Sequence, residues 1–98
     1  MLNMNEVITN EAVTIGLEGR LDTITAPDLD KKIKECQVGE KELIFDLEKL
    51  EYISSAGLRV LLAAQKEHAK SGMKLIHVNS TVMEVFEITG FAGLLNIV

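Results

Sequence analysis

The sequence is poor in residues on which several classes of protein depend. It has no tryptophan, one tyrosine and three phenylalanines, so a packed core must be built mainly from aliphatic side chains. Its single cysteine, Cys36, rules out an internal disulfide framework and predicts a reducing compartment. No apolar run approaches the length of a membrane-spanning helix, and the first residues lack the basic and then apolar pattern of a signal peptide. These features predict a cytoplasmic protein that has no membrane partner.

Basic residues are also scarce relative to acidic ones. Ten Lys and Arg residues against 15 Asp and Glu residues give a net charge of −5, which argues against binding to nucleic acid or to an anionic membrane surface. The chain is 47% hydrophobic and 26% charged, a balance typical of globular proteins. Its 98 residues are enough for one modest core, so we expect a single domain over residues 1–98.

Strand-like and helix-like patterns alternate along the chain. Val13, Ile15 and Leu17 alternate with polar or small residues, as in a half-buried strand, and Gly19 is expected to end this strand. Residues 43–47 are almost continuously apolar, as expected of a central strand that is covered on both faces. The predicted strands span residues 7–9, 13–18, 43–47, 75–78 and 94–97, with a turn at 10–11.

Three helices are predicted between these strands. The first has Thr25 as its N-cap, the second follows residues 54–55 and stops at Gly72, and the third is capped by Ser80 and ended by Gly90. The residues expected to face the core are Leu29, Ile33 and Cys36 in the first helix, Leu58, Leu61, Leu62 and Ala69 in the second, and Val82, Val85, Phe86 and Thr89 in the third.

An opening hairpin followed by alternating helices and strands predicts an α/β fold. We expect one mixed sheet, with an antiparallel N-terminal hairpin and later strands that become parallel through right-handed crossovers. Helices of ordinary length joined by short loops leave little room for an elaborate active site.

The segment 52–62 is the most informative part of the chain. Residues 54–57, Ser-Ser-Ala-Gly, are four small residues between a strand pattern and a helix pattern. Ser54 or Ser55 can cap the helix, and either hydroxyl can be phosphorylated there because a helix N-terminus favours negative charge. No Glu or Gln stands three residues after either serine, so the capping box is absent. Gly57 serves either close packing or the close approach of a partner, and both interpretations stay open.

Signals of catalysis and of metal binding are missing from the sequence. It contains no G-x-S-x-G, no phosphate-loop motif, no G-x-G-x-x-G and no zinc pattern. His68 and His77 lack companion ligands at metal spacing, and neither can be tied to Ser55 as a base. Asp22, in a loop, and Asp46, at a strand end, are expected to bond to nearby backbone rather than to form an acid–base pair. We therefore expect no enzyme activity, no catalytic residue, no metal and no cofactor.

Three groups of residues carry a family resemblance. They are Gly19-Arg20-Leu21-Asp22, then Phe45-Asp46-Leu47 with the run from Leu50 to Leu58, and finally Val82, Phe86, Thr89, Gly90 and Phe91. In these residues, and over the stretch from Ala12 to Phe91, the chain resembles the anti-sigma factor antagonists, the stand-alone STAS domains of bacterial partner-switching systems. The resemblance implies a mixed sheet with helices packed mainly on one side.

The resemblance also implies a phosphorylation site and a binding surface. The family uses a serine at the N-terminus of the second major helix as its switch, which corresponds here to Ser55, with Ser54 as the alternative. Well-known members carry an aspartate where this chain has Ser54, and a hydroxyl residue is common where it has Ala56. The implied partner-binding residues are Asp22, Thr23, Ser54, Ser55, Ala56, Gly57 and Arg59.

The function implied by the resemblance is that of a protein-binding switch. The unphosphorylated chain is expected to bind an anti-sigma factor that is also a serine kinase, which releases a sigma factor. Phosphorylation switches the chain off, and a serine phosphatase acts on the phosphorylated form. Two rival hypotheses remain. One is a constitutive STAS subunit of a stressosome-like scaffold or of a lipid transporter, and the other is a small ligand-binding or enzymatic domain.

Overall fold

A computed structural model describes residues 2–36 and 38–98. It contains one four-stranded sheet, three α-helices and a 3₁₀ turn at Phe91–Gly93. In chain order, the elements are β1 (Leu2–Ile8), β2 (Ala12–Leu21), α1 (Ala26–Glu35), β3 (Glu42–Ile53), α2 (Ser55–Glu67), β4 (Met73–Ile76) and α3 (Ser80–Thr89). The strand order is β1-β2-β3-β4, antiparallel between β1 and β2 and parallel thereafter. The predicted mixed α/β sheet with an N-terminal hairpin is confirmed.

The core lies between the helices and one face of the sheet. Alternate strand residues are buried, namely Val13, Ile15 and Leu17 in β2 and Leu43, Phe45 and Leu47 in β3. Ile44 and Asp46, which lie between buried positions, are only half-buried. The prediction that 43–47 is covered on both faces is therefore wrong, because the helices pack on one side. Asp46 lies in the middle of β3, opposite Gly16, and does not end the strand as predicted.

The strands are longer than their apolar patterns indicate. β1 begins at Leu2 rather than at residue 7, and β3 continues to Ile53 through exposed charged residues. Gly19 does not end β2. It takes a φ of 102° where the pairing with β3 shifts register, and the strand continues to Leu21. The backbone N–H of Ser54 donates to the Leu21 carbonyl at 2.9 Å, which fixes the end of β2 beside the start of α2.

Several predicted helix ends need correction. Thr25 occupies the N-cap position of α1, but its hydroxyl makes no cap bond because it is used inside the preceding loop. Asn79, not Ser80, caps α3, and Thr89 is exposed rather than inward. Gly90 is left-handed with a φ of 82°, as its predicted role as a helix end requires.

The ends of α2 and of the chain also differ from expectation. α2 stops at Glu67, so Ala69 lies outside it and is exposed, although Gly72 has the left-handed backbone expected of a stop, with a φ of 97°. β4 covers Met73–Ile76 rather than 75–78. The last predicted strand, 94–97, is reduced to a single parallel bridge between Ile97 and Leu75. Residues 91–93, directly before it, form a 3₁₀ turn.

Candidate functional site

The two serines at the start of α2 have different surroundings. Ser54 is the N-cap, with an extended backbone, and its side-chain oxygen accepts the Gly57 N–H at 3.5 Å, a long contact for such a bond. Ser55 is the first residue of the helix, and its side chain is exposed, whereas Ser54 is half-buried. Ser55 is therefore the more accessible of the two serines.

The N-terminal end of α2 carries unbalanced positive charge. The first N–H groups of a helix have no partner within the helix, and the helix dipole adds to their positive potential. The first turn of α2 contains no acidic residue, and the one cap bond is long. An anionic group on Ser55 would lie against this end and would not oppose the helix.

Gly57 is a packing residue. It is buried, and a Cβ at this position would lie 2.6 Å from Leu21 Cγ and 3.0 Å from Ile53 Cγ1. The glycine lets α2 approach the ends of β2 and β3 more closely than any side chain would allow. These contacts favour the packing interpretation of Gly57, and its part in partner binding stays a prediction.

The loop from Asp22 to Thr25 is held by a compact set of hydrogen bonds. One oxygen of Asp22, Oδ1, accepts the backbone N–H groups of Ile24 and Thr25, both at 3.0 Å, and the Thr25 hydroxyl at 3.2 Å. The Thr25 hydroxyl donates in turn to the Arg20 carbonyl at 2.8 Å. Donation from the Thr25 backbone N–H, supported by the Thr25 hydroxyl and the Ile24 N–H, lowers the pKa of Asp22 below its usual range. Asp22 therefore serves loop geometry first.

Arg20 and Tyr52 form a second feature beside this loop. They are paired across β2 and β3, and the Arg20 guanidinium lies 4.2 Å from the centre of the Tyr52 ring. Arg20 also approaches Asp22, with 3.9 Å between Nε and Oδ2. The tyrosine is 40% exposed. A cation and an aromatic ring are thus held together on the exposed face of β2 and β3, each one residue before a buried core residue, Leu21 or Ile53.

A groove between α1 and α2 brings together three of the predicted partner-binding residues. It has a volume of about 400 Å³, and its lining includes Thr23, Ala56 and Arg59. The rest of its wall is formed by Ala26, Pro27, Asp30, Val60 and Ala63. The groove is shallow and lined mainly by small or apolar side chains, with an acid and an arginine at its rim. Such a surface suits contact with another protein better than enclosure of a small molecule.

Sequence reasoning missed three residues of this region. Arg20 and Tyr52 belong to the segments that carry the family resemblance but have no predicted role, and no sequence pattern singles out Ile24. Ile24 lies in the loop with its side chain 83% exposed. An isolated isoleucine between two threonines in a loop is the one signal that could have drawn attention to it.

The remaining reactive side chains lie elsewhere and are occupied locally. His77 Nδ1 is 3.2 Å from Asp46 Oδ1, and His68 Nδ1 is 2.9 Å from the Ala64 carbonyl. Burial and a hydrogen bond to Glu6 raise the pKa of the Cys36 thiol to about 11, so the thiol is neutral at physiological pH. Within residues 2–36 and 38–98, no group of three or more potential ligands could hold a metal ion. No helix in this part of the chain is long and apolar enough to cross a bilayer.

Comparison with known proteins identifies the family. The family model of the STAS domain matches residues 3–98. The chain belongs to the STAS domain family. Over 81 residues this STAS domain is 37% identical to BtrV of Bordetella bronchiseptica, a protein named as an anti-sigma factor antagonist. The match covers 80% of this chain and 70% of that protein.

Solved STAS structures share the fold. An anti-sigma factor antagonist from Mycobacterium paratuberculosis superimposes with a TM-score of 0.88 at 19% identity, over 99% of this chain and 85% of that one. SpoIIAA, a Bacillus cell fate determinant, gives 0.78 at 24% identity in its unphosphorylated form, over 100% and 88% of the two chains. Its phosphorylated form gives 0.70 at 22% identity, over 100% and 91%. STAS anti-sigma factor antagonists are regulatory binding proteins rather than enzymes, which agrees with the prediction from sequence.

Proposed function

We propose that this STAS domain is an anti-sigma factor antagonist whose activity is controlled by phosphorylation of Ser55. In its unphosphorylated state it binds an anti-sigma factor that is also a serine kinase, and the bound sigma factor is released. The observation that carries the proposal is the exposed Ser55 hydroxyl at the first position of α2, in a chain related to named anti-sigma factor antagonists. The exchange takes place in the cytoplasm, where bacterial sigma factors act.

Ser55 is a better phosphate acceptor than Ser54 for two structural reasons. The Ser55 side chain is exposed, so its hydroxyl can enter a kinase active site without local unfolding. The Ser54 side chain is half-buried and its oxygen faces the Gly57 N–H, so phosphorylation there would remove the cap. The preference for Ser55 thus follows from exposure and from hydrogen bonding together.

A phosphate on Ser55 acts on the interface rather than on the fold. It adds between one and a half and two negative charges and three acceptor oxygens, all near the positive end of α2. The partner surface that fits the small residues Thr23 and Ala56 has no room for this group, and the removal of its water is costly. Arg59, at the same groove, supplies a positive contact to the partner when the serine is free.

The kinase, its ATP and the phosphatase belong to the partners, so this chain needs no cofactor. Incubation with the anti-sigma factor kinase from the same organism and ATP is expected to add one phosphate, which peptide mapping places on Ser55. Ser55→Ala is expected to abolish the addition, and Ser54→Ala is expected to keep it. Reproducible phosphorylation at Ser54, or none with a kinase that binds the chain, contradicts the assignment.

Affinity measurements test the switch itself. By isothermal titration calorimetry with the same kinase, Ser55→Ala should bind at least as well as wild type, and Ser55→Glu and the phosphorylated chain should bind much more weakly. The matched control is Ser80→Glu, because Ser80 is an exposed first residue of α3. It places the same charge at another helix N-terminus and should leave affinity unchanged. Equal binding by the phosphorylated and free chains would instead favour a constitutive STAS scaffold.

A further inference from the structure

Ile24 is the most exposed large hydrophobic side chain among the described residues. It is 83% exposed, compared with 77% for Ile88 and 74% for Val98. Single exposed apolar residues are ordinary on protein surfaces, so exposure alone assigns no role. The surroundings of Ile24 give it one.

The backbone that carries Ile24 is held in place before any partner arrives. Its N–H donates to Asp22 Oδ1 at 3.0 Å, and the next residue, Thr25, is buried and bonded to both Asp22 and the Arg20 carbonyl. An apolar side chain on a fixed loop loses little conformational entropy when it is buried at an interface. This is the condition under which one side chain contributes strongly to affinity.

The fold itself does not require isoleucine at this position. Only the N–H of Ile24 takes part in the loop's hydrogen bonds, and the side chain lies almost wholly in solvent. A threonine or an alanine would satisfy the same loop without exposing an apolar surface. The side chain is therefore free to make a contact outside the monomer.

Ile24 also lies next to the surface that surrounds the two serines. Leu21, which begins its loop, accepts the Ser54 N–H at 2.9 Å, and Thr23 opens onto the same groove as Ala56. A partner that contacts this groove at Thr23 and Ala56 therefore lies beside the next residue of the loop, Ile24. By contrast, Ile88 belongs to the last turn of α3 and lies outside this surface.

We propose that Ile24 is the apolar anchor of this interface and inserts into an apolar pocket on the anti-sigma factor. The proposal rests on the proposed function, because it names the contact made by the same surface.

The test measures affinity of the purified chain for the anti-sigma factor kinase from the same organism. Ile24→Ala should weaken binding about tenfold or more, as expected for an interface anchor, and Ile24→Asp should weaken it further. Ile24→Thr keeps the branched shape and removes apolar surface, so it should fall between wild type and Ile24→Asp. Ile88→Ala and Ile88→Asp, at an equally exposed site, should bind like wild type.

The outcomes distinguish the proposal that Ile24 anchors the interface from the proposed function itself. Thermal unfolding of the Ile24 variants should match wild type, because the side chain makes no core contact, and this measurement excludes loss of fold as the cause of weak binding. Wild-type affinity in Ile24→Asp overturns the anchor and leaves the proposed function standing. Absence of binding by the wild-type chain overturns both. Equal losses in the Ile24 and Ile88 variants also overturn the anchor, because the effect would not depend on position.

Discussion

The starts of α2 and α3 look alike in sequence and differ in construction. Each helix follows a parallel strand, and each begins with a capping residue and then an exposed serine, Ser54-Ser55 in α2 and Asn79-Ser80 in α3. Neither first turn contains an acidic residue. Sequence pattern alone would assign the two serines the same role.

The caps separate the two helix starts. Asn79 Oδ1 accepts the Val82 N–H at 3.0 Å. Its Nδ2 reaches three carbonyls of β3, those of Leu50 at 2.8 Å, Leu47 at 3.3 Å and Glu48 at 3.4 Å. Asn79 thus joins the helix to the sheet. Ser54 offers one 3.5 Å contact and no side-chain bond to the sheet. The start of α3 is fixed by its cap, whereas the start of α2 is positioned by backbone contact and by the packing of Gly57.

This difference bears on which helix start tolerates a change. The start of α3 depends on the Asn79 side chain, so replacement of that residue puts the fold at risk. The start of α2 depends little on the Ser54 side chain. It adjoins a loop with an exposed isoleucine and an open groove. The weakness of the Ser54 cap is therefore consistent with a site used for binding and modification.

The largest expected effect comes from removing the stronger cap. Asn79→Ala loses the bond to Val82 and leaves carbonyls of β3 without a donor, so it should lower the free energy of unfolding by about 2 kcal/mol or more. Ser54→Ala loses only a long bond and should cost about 0.5 kcal/mol. Chemical denaturation of both variants and of the wild type measures the two losses in the free energy of unfolding. Equal losses would contradict the contrast drawn between the two caps.

Gly57 tests the other means by which α2 is positioned. Gly57→Ala introduces a Cβ against Leu21 and Ile53, and overpacking of this kind should lower the free energy of unfolding by about 1–2 kcal/mol. The sign is informative, because an alanine in the first turn of an unconstrained helix would stabilise it.

Gly93→Ala is the control for this variant. A Cβ at Gly93 meets nothing within 4 Å, and its backbone does not lie in the left-handed region, so the substitution should be neutral or slightly stabilising. Thermal unfolding measures the stability of the two variants relative to wild type. A Gly57→Ala variant as stable as wild type would show that α2 can shift away from Leu21 without cost.

The sequence predicts those features that depend on local periodicity. The alternation of Val13, Ile15 and Leu17 predicts the core face of β2 correctly, because it depends on spacing alone. Gly90 predicts the end of α3 correctly, because it depends on the backbone preference of one residue. Asn79 could not be chosen over Ser80 as the cap, since both are good N-cap residues. The choice depends on carbonyls of β3 some 30 positions earlier in the chain.

The candidate site shows the same limit. Ser55 is predicted as the phosphorylation site from the motif that carries the family resemblance. The structure adds only that this residue is exposed. The packing role of Gly57 depends on Leu21, a residue far away in sequence, so no local pattern distinguishes packing from partner contact. Thr25 has the sequence of a helix cap, yet its hydroxyl bonds to Arg20 because β2 continues past Gly19. Ile24 gave no periodic signal at all.

The smallest expected effect concerns charge at the two first helical positions. Ser55→Glu and Ser80→Glu each place a carboxylate against a helix N-terminus, so each should raise the free energy of unfolding by about 0.3–1 kcal/mol at low ionic strength. Denaturation in low and high salt measures the gain, which screening should reduce at both positions. Phosphorylation of Ser55 should act in the same direction. If Ser55→Glu instead destabilised the chain while Ser80→Glu stabilised it, a negative charge at Ser55 would disturb α2 itself. Loss of binding would then report damage to the helix rather than repulsion at an interface.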